Sequence, residues 1–214
     1  RDWSSDVCSS DLSYVAGTVT ISQKGVVITA SSSTVQYGAA VPTVTASYSG
    51  FVNSQTQATA GVMSALPTCS TTYTVTTHVG AALAGRATTC TGATAVNYSF
   101  TYVDGAVTVN QRPITVTASS ASVTYGDSIP TITPSYSAFQ NSETSSVVSG
   151  ISCSTTYVAT SAFGTVPTTS CSGATATDYS FSYTGGTVTI AKKGLTITAA
   201  SITPTYGDAA PTVS

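Results

Sequence analysis

One phrase returns along this chain at long, nearly equal intervals. Tyr37-Gly38-Ala39-Ala40-Val41-Pro42-Thr43 comes back as Tyr125-Gly126-Asp127-Ser128-Ile129-Pro130-Thr131, then as Tyr206-Gly207-Asp208-Ala209-Ala210-Pro211-Thr212. The spacings between the tyrosines are 88 and 81 residues. Its surroundings recur in register: Tyr48 and Phe51 match Tyr136 and Phe139, and Asn97-Tyr98-Ser99-Phe100-Thr101-Tyr102 matches Asp178-Tyr179-Ser180-Phe181-Ser182-Tyr183. A fixed long period limits the fold more than any local propensity does, because one supersecondary plan must serve every copy. The chain reads as a tandem array of one small, mostly β module.

The landmarks divide it. Residues 13–23 match 101–111 and read as the final hairpin of a truncated preceding repeat. Repeat 1 spans 24–111 and repeat 2 spans 112–192; residues 193–214 open a third. Residues 1–12 carry no repeat landmark, yet hold the only Trp, the unmatched Cys8 and three of the eight acidic residues. Residues 2–12 resemble the conceptual translation of a sequencing adapter, and the segment is set aside as non-native or disordered.

Within a module the strand signal is strict alternation. Val26, Ile28 and Ala30 fall on one face of an extended chain, as do Ile114, Val116 and Ala118, and Leu195, Ile197 and Ala199. Gly38, Gly126 and Gly207 allow a positive φ in the turn that follows. Pro42, Pro130 and Pro211 then fix φ and open the next strand. Tyr37, Tyr125 and Tyr206 read as aromatics pinning this turn, with their hydroxyls at the edge of the core. The only helical signal covers 141–150, with Asn141 or Ser142 as cap and Val147, Val148 and Ile151 toward the sheet. Asp104-Gly105 and Gly185-Gly186 suggest tight hairpin turns closing each module. Between modules only about four residues intervene, from Asn110 to Pro113 or from Ala191 to Gly194, which predicts a semi-rigid array.

Taken in order, Tyr-Gly-x-x-x-Pro-Thr, Tyr-Ser-Gly/Ala-Phe and the closing Asn/Asp-Tyr-x-Phe-x-Tyr-x-x-Gly-x-Val-Thr-Val/Ile resemble the MBG domain of the Tyr-Gly-x type. The resemblance implies a β-grasp-like fold and a place in very large secreted proteins of the bacterial cell surface. It supplies no catalytic, cofactor or metal residues.

Composition is consistent with that setting. Charged residues make up 7% of the chain, against about 25% in an ordinary soluble domain. Ser and Thr, about a third of all residues, take over the solvent-facing role, and Thr suits strands where Lys and Glu do not. The net charge is −2 with no basic cluster, which excludes a nucleic-acid footprint. No apolar run approaches the roughly 18 residues of a membrane span. Cys69 and Cys90 recur as Cys153 and Cys171, 21 and 18 residues apart. One pair per module reads as a disulfide staple and implies an oxidising compartment. A metal site is the rival, but two cysteines without a recurring His or acid cannot complete a tetrahedral sphere.

Chemistry is sparse. His78, the only histidine, falls in a loop insertion of repeat 1 and reads as solvated. Asp127 and Asp208 correspond to Ala39, so calcium binding there cannot belong to the repeat as such. Paired Thr-x-Thr strands would also suit ice binding, which the twist of such sheets disfavours. The expectation is therefore a non-enzymatic stalk without cofactors, whose partners are neighbouring repeats and which holds a distal binding domain away from a bacterial cell. The alternative is a module that binds a glycan or a host or neighbour-cell protein by its faces or loops.

Overall fold

The alternating segments form the two central strands. In β1 (Lys24–Ala30) Val26, Ile28 and Ala30 are buried; in β8 (Arg112–Ala118) Ile114, Val116 and Ala118 are buried while Thr115 and Thr117 face water. The structure, a computed structural model, describes residues 15–210. Those residues form fourteen short strands and two single turns of 3-10 helix, Leu83–Gly85 and Ser145–Val147.

Repeat 1 continues with β2 (Ser33–Gln36), β3 (Ala46–Ser49), β4 (Thr68–Thr71), β5 (Ala87–Thr91), β6 (Tyr98–Val103) and β7 (Gly105–Asn110). Repeat 2 follows with β9 (Ala121–Thr124), β10 (Pro134–Tyr136), β11 (Ser152–Thr155), β12 (Thr168–Ser172), β13 (Tyr179–Thr184) and β14 (Gly186–Ala191). The sheet orders repeat as β3-β1-β6 and β10-β8-β13, then β2-β7-β5-β4 and β9-β14-β12-β11. Registers repeat too: Val26 stands beside Phe100 in the parallel β1–β6 pair, and Ile114 beside Phe181 in β8–β13. The all-β, tandem reading is thus the observed one.

Contacts group the described chain into two compact units that are out of step with the sequence repeat. The first unit comprises 15–32, 43–71 and 87–106; the second comprises 33–42, 72–86 and 107–210. In the first, Ile28, Ala30 and Cys90 form a core with Cys69, Phe100 and Tyr102, beside a second cluster of Val26, Val62 and Tyr98. In the second, Tyr37, Tyr73, Val107, Val109, Ile114 and Tyr179 form one core, and Val116, Ala118, Ile132 and Cys171 another. A third cluster joins Tyr157, Val188 and Ile190.

Each cysteine pair is bonded between antiparallel neighbours. Cys69 faces Cys90 across β4–β5 with S–S 2.03 Å, and Cys153 faces Cys171 across β11–β12 with S–S 2.04 Å. Closing a loop of about 20 residues is worth on the order of 3 kcal/mol.

Three local expectations are corrected. The segment 141–150 is not a helix: Asn141 and Ser142 take left-handed φ of 54° and 61°, and only Ser145–Val147 turns, capped by Thr144. A run of Ser, Thr and Val has too little helix propensity to extend one turn. Ile151 does pack on the core, whereas Val147 is exposed. Second, Asp104-Gly105 and Gly185-Gly186 do not close hairpins. Asp104 alone separates β6 from β7, and those strands lie in different sheets. Gly105 is required for closeness: a Cβ there would lie 2.6 Å from Thr88 Oγ1 and 2.7 Å from the Ala30 carbonyl. Gly186 meets Ser120 Oγ and Thr169 Oγ1 at 2.8 Å in the same way. Third, the strand after Pro130 begins only at Pro134. Residues 15–23 are without strand, and no helix among the described residues is long and apolar enough to cross a membrane. Residues 1–14, including Cys8, and 211–214, including Pro211, lie outside the described residues.

Candidate functional site

Among the described residues a dense polar arrangement lies in the second unit, where the Tyr37 turn of repeat 1 meets Glu143, Asp178 and Tyr179 of repeat 2. Its backbone is set by local rules. Tyr37 N donates to the Asn110 carbonyl at 2.9 Å, and Ala39 N closes the turn onto the Gln36 carbonyl at 3.0 Å. Gly38 holds φ +75°, and a Cβ there would press within 2.6 Å of Gln140. Only Gln111 separates β7 from β8, and its Nε2 donates to the Ala176 and Thr177 carbonyls at 3.3 and 3.1 Å. Arg112 N donates to the Asp178 carbonyl, and Arg112 Nη1 donates to the Tyr37 carbonyl at 3.1 Å.

The left-handed pair Asn141-Ser142 swings Glu143 inward. Its carboxylate then accepts two phenols: Tyr37 Oη at 2.8 Å on Oε1 and Tyr179 Oη at 2.5 Å on Oε2. Tyr179 Oη in turn accepts from Gln140 N at 3.0 Å. The rings of Tyr37 and Tyr179 meet edge to face at 5.6 Å, and Phe139 meets Tyr179 likewise at 5.3 Å. Such contacts add about 0.5–1.5 kcal/mol each beyond burial. Asn141 Nδ2 donates to the Val75 carbonyl at 3.0 Å, and Tyr73 Oη to the Ala39 carbonyl at 2.9 Å.

A second carboxylate closes the other side. Asp178 Oδ2 lies 2.7 Å from His78 Nδ1, and Oδ1 accepts from Val79 N at 2.8 Å. A carboxylate only accepts, so Nδ1 carries the hydrogen of that pair. The His78 ring stacks on Tyr37 with centroids 5.8 Å apart and planes 12° apart. His78 is therefore not a solvated loop residue alone: its side chain is 65% exposed, but one edge and one face are occupied. Beside these groups lies a cleft of about 470 Å³ lined by His78, Glu143, Val147, Ala176, Thr177, Asp178 and Tyr179.

The electrostatics favour donation by the phenols. Burial, followed by the hydrogen bond from its hydroxyl to Glu143, pushes Tyr179 up to about 12. Burial chiefly, with Glu143 adding to it, also raises Tyr37. Phenols held neutral are hydrogen-bond donors rather than bases, and each of the four carboxylate oxygens of Glu143 and Asp178 has a partner. The arrangement works as a clasp. Among the described residues no group of three or more His, Cys, Asp or Glu is placed to hold a metal ion. Asp127 and Asp208 close their own turns by accepting from Thr124 N and Thr205 N at 2.7 and 3.0 Å.

The three motif tyrosines fare differently. Tyr37 is 1% exposed, Tyr125 is 44% exposed, and Tyr206 is fully in solvent. Gly126 and Gly207 keep the left-handed φ of Gly38, at +88° and +96°, while Pro42 and Pro130 are half-buried. Sequence reasoning placed the turn but missed Glu143, Asp178, Tyr179 and His78 as a set. A signal was present: Gln55 and Asn97 of repeat 1 become Glu143 and Asp178 in repeat 2, so two acids appear together opposite the inserted loop bearing His78.

No curated protein and no solved structure matches the chain. The family model described as MBG domain (YGX type) matches residues 26–108 and 114–189, one match for each repeat. With most of its length covered by two tandem copies whose Tyr-Gly-x turn is in view, the chain belongs to the MBG domain family of the YGX type.

Proposed function

We propose that these repeats are spacer modules in the stalk of a bacterial extracellular surface protein, holding a distal binding domain away from the cell. The observation that carries this reading is where the polar chemistry is used. Tyr37 and His78 of repeat 1 are tied to Glu143, Tyr179 and Asp178 of repeat 2, joining one repeat to the next. A spacer needs such a joint at each junction, and its loops are free to differ. They do: the segment 72–86, with His78, is three residues longer than its counterpart 156–167 in repeat 2, which carries Phe163 under Lys192. Membership in a family of repeat domains from surface and secreted proteins supports the location, as do two disulfides, which persist in oxidising compartments. The carboxylates serve as acceptors in the clasp, in keeping with a non-catalytic role.

Small-angle scattering of the dilute chain tests the reading. A spacer gives a radius of gyration well above the roughly 17 Å of a compact domain of this length. A near-spherical profile, or a reproducible hit on a glycan array, would transfer the assignment to a binding module.

A further inference from the structure

The strands that open repeat 2 are partners of the strands that close it. β8 pairs in parallel with β13 from Arg112↔Tyr179 to Thr117↔Thr184, and β9 pairs in parallel with β14 from Ala121↔Val188 to Thr124↔Ala191. Every partner in both ladders stands 67 residues further along the chain. Residues 112–124 and 179–191 thus keep a single register from end to end, as a two-stranded parallel ribbon. Arg112 N on the Asp178 carbonyl and Tyr125 N on the Ala191 carbonyl, both at 2.9 Å, extend it by one bond at each end.

The gap between β8 and β9 is bridged. Ser120 Oγ accepts from Thr187 N at 3.1 Å. The Thr169 hydroxyl accepts from Gly186 N at 3.0 Å and donates to the Ser119 carbonyl at 2.9 Å. Ile114, Val116 and Ala118 on one side of the ribbon, and Val188 and Ile190 on the other, are buried and anchor it in the core. In repeat 1 the parallel partners are 74 residues apart in β1–β6 and again in β2–β7. Ser32 Oγ accepts from Ala106 N at 3.1 Å there, as Ser120 does from Thr187. The extra residues of repeat 1 fall between Phe51 and Cys90, outside the paired strands 24–36 and 98–110.

We propose that this ribbon is a mechanical clamp: tension along the array loads it in shear, and it sets the force at which a module gives way. The inference rests on reading the repeats as a stalk, because a stalk is pulled through its two ends. Tension enters repeat 2 at the start of β8 and leaves at the end of β14. In a parallel ribbon those two points lie at opposite ends of adjacent strands, so the pull drives the strands past each other along their length. The evenly spaced ladder bonds of a parallel pair then share the load and fail together. An antiparallel pair in the same place would bring both points to one end and open bond by bond. Forced unfolding follows the unfolding barrier, which is higher when many bonds must break in one step. Strands β10, β11 and β12 lie off this path, and so do the loops that differ between repeats.

Single-molecule force spectroscopy of the full chain tests this with two attachment pairs, made through azide-bearing residues that leave the cysteines undisturbed. Handles at exposed Gln111 and Lys193 load the ribbon in shear. Handles at Gln111 and exposed Thr177 pull on the starts of β8 and β13, at one end of the ribbon, and peel it. The expected result is a several-fold higher rupture force in shear than in peeling at the same pulling speed. Ser120→Ala removes the acceptor of Thr187 N and should lower the shear force alone, because peeling begins at the far end of β8. Equal rupture forces in the two directions, from a wild type folded by circular dichroism, overturn the proposal. So does a Ser120→Ala change that is the same in both directions. The two readings fail separately: a compact scattering profile removes the stalk, and equal rupture forces remove the clamp.

Discussion

Tyr37 and Tyr125 sit in the same backbone turn with the same amide bonds, yet one is buried and the other half in water. Their own sequences do not explain the difference. Gly38 and Gly126 supply the same left-handed φ, and Tyr73 and Tyr157 pin the two turns from the same side. What differs is the cover. Over Tyr37 lie Tyr179, Glu143 and the His78 ring, and no residue of the described chain does the same for Tyr125. A repeat motif can therefore fix a conformation in each copy and leave burial to whatever follows it.

The largest effect should come from the tyrosines themselves. Tyr37→Ala empties a filled core position and should cost about 3–5 kcal/mol. Tyr125→Ala should stay within about 0.5 kcal/mol, as exposed positions do. Denaturant unfolding of the two variants reads the contrast directly, and equal losses would break it. Next comes the acceptor. Glu143→Ala orphans the hydroxyls of both Tyr37 and Tyr179 and should cost roughly 2–4 kcal/mol. At the matching position of repeat 1, Gln55 Oε1 accepts only from Tyr98 Oη, at 2.5 Å, and Gln55→Ala should cost about 1–2 kcal/mol.

Alkaline pH sharpens the comparison without mutation. An unfolded tyrosine ionises near about 10, and burial with hydrogen bonding to Glu143 holds Tyr179 at about 12 and raises Tyr37 as well. Between those values the folded chain binds more protons than the unfolded one, so stability falls as pH rises. The contribution is complete below about 10 and is lost through about 12. Melting temperature followed against pH, alongside tyrosinate absorbance, should show the decline, and Tyr37→Phe should flatten it. The smallest effect belongs to His78→Ala. The imidazole is 65% exposed, so its pair with Asp178 should contribute under about 1 kcal/mol.

Much of the frame was legible in residues. Val26, Ile28 and Ala30, with Ile114, Val116 and Ala118, announced the buried faces of β1 and β8 because a strand has a period of two. Alternation does not say which sheet a strand joins, which is why Gly105 and Gly186 read as turn residues. They are in fact places where Thr88 and Thr169 come too near for a Cβ. The clasp was hidden for another reason. Tyr37 and Glu143 are 106 residues apart and His78 and Asp178 are 100 apart, so no window around one shows the other. Only the coordinated change from Gln55 and Asn97 to Glu143 and Asp178 records the contact in one dimension.

The offset between the folded units and the sequence period bears on how such arrays change length. A duplication or deletion of one whole period, wherever it begins, hands on a complete set of strands together with one Tyr-Gly turn. Recombination between copies therefore need not find a domain boundary to leave every core occupied. Gain and loss of modules can proceed with breakpoints at any phase of the repeat, provided the chain is cut and rejoined at equivalent residues.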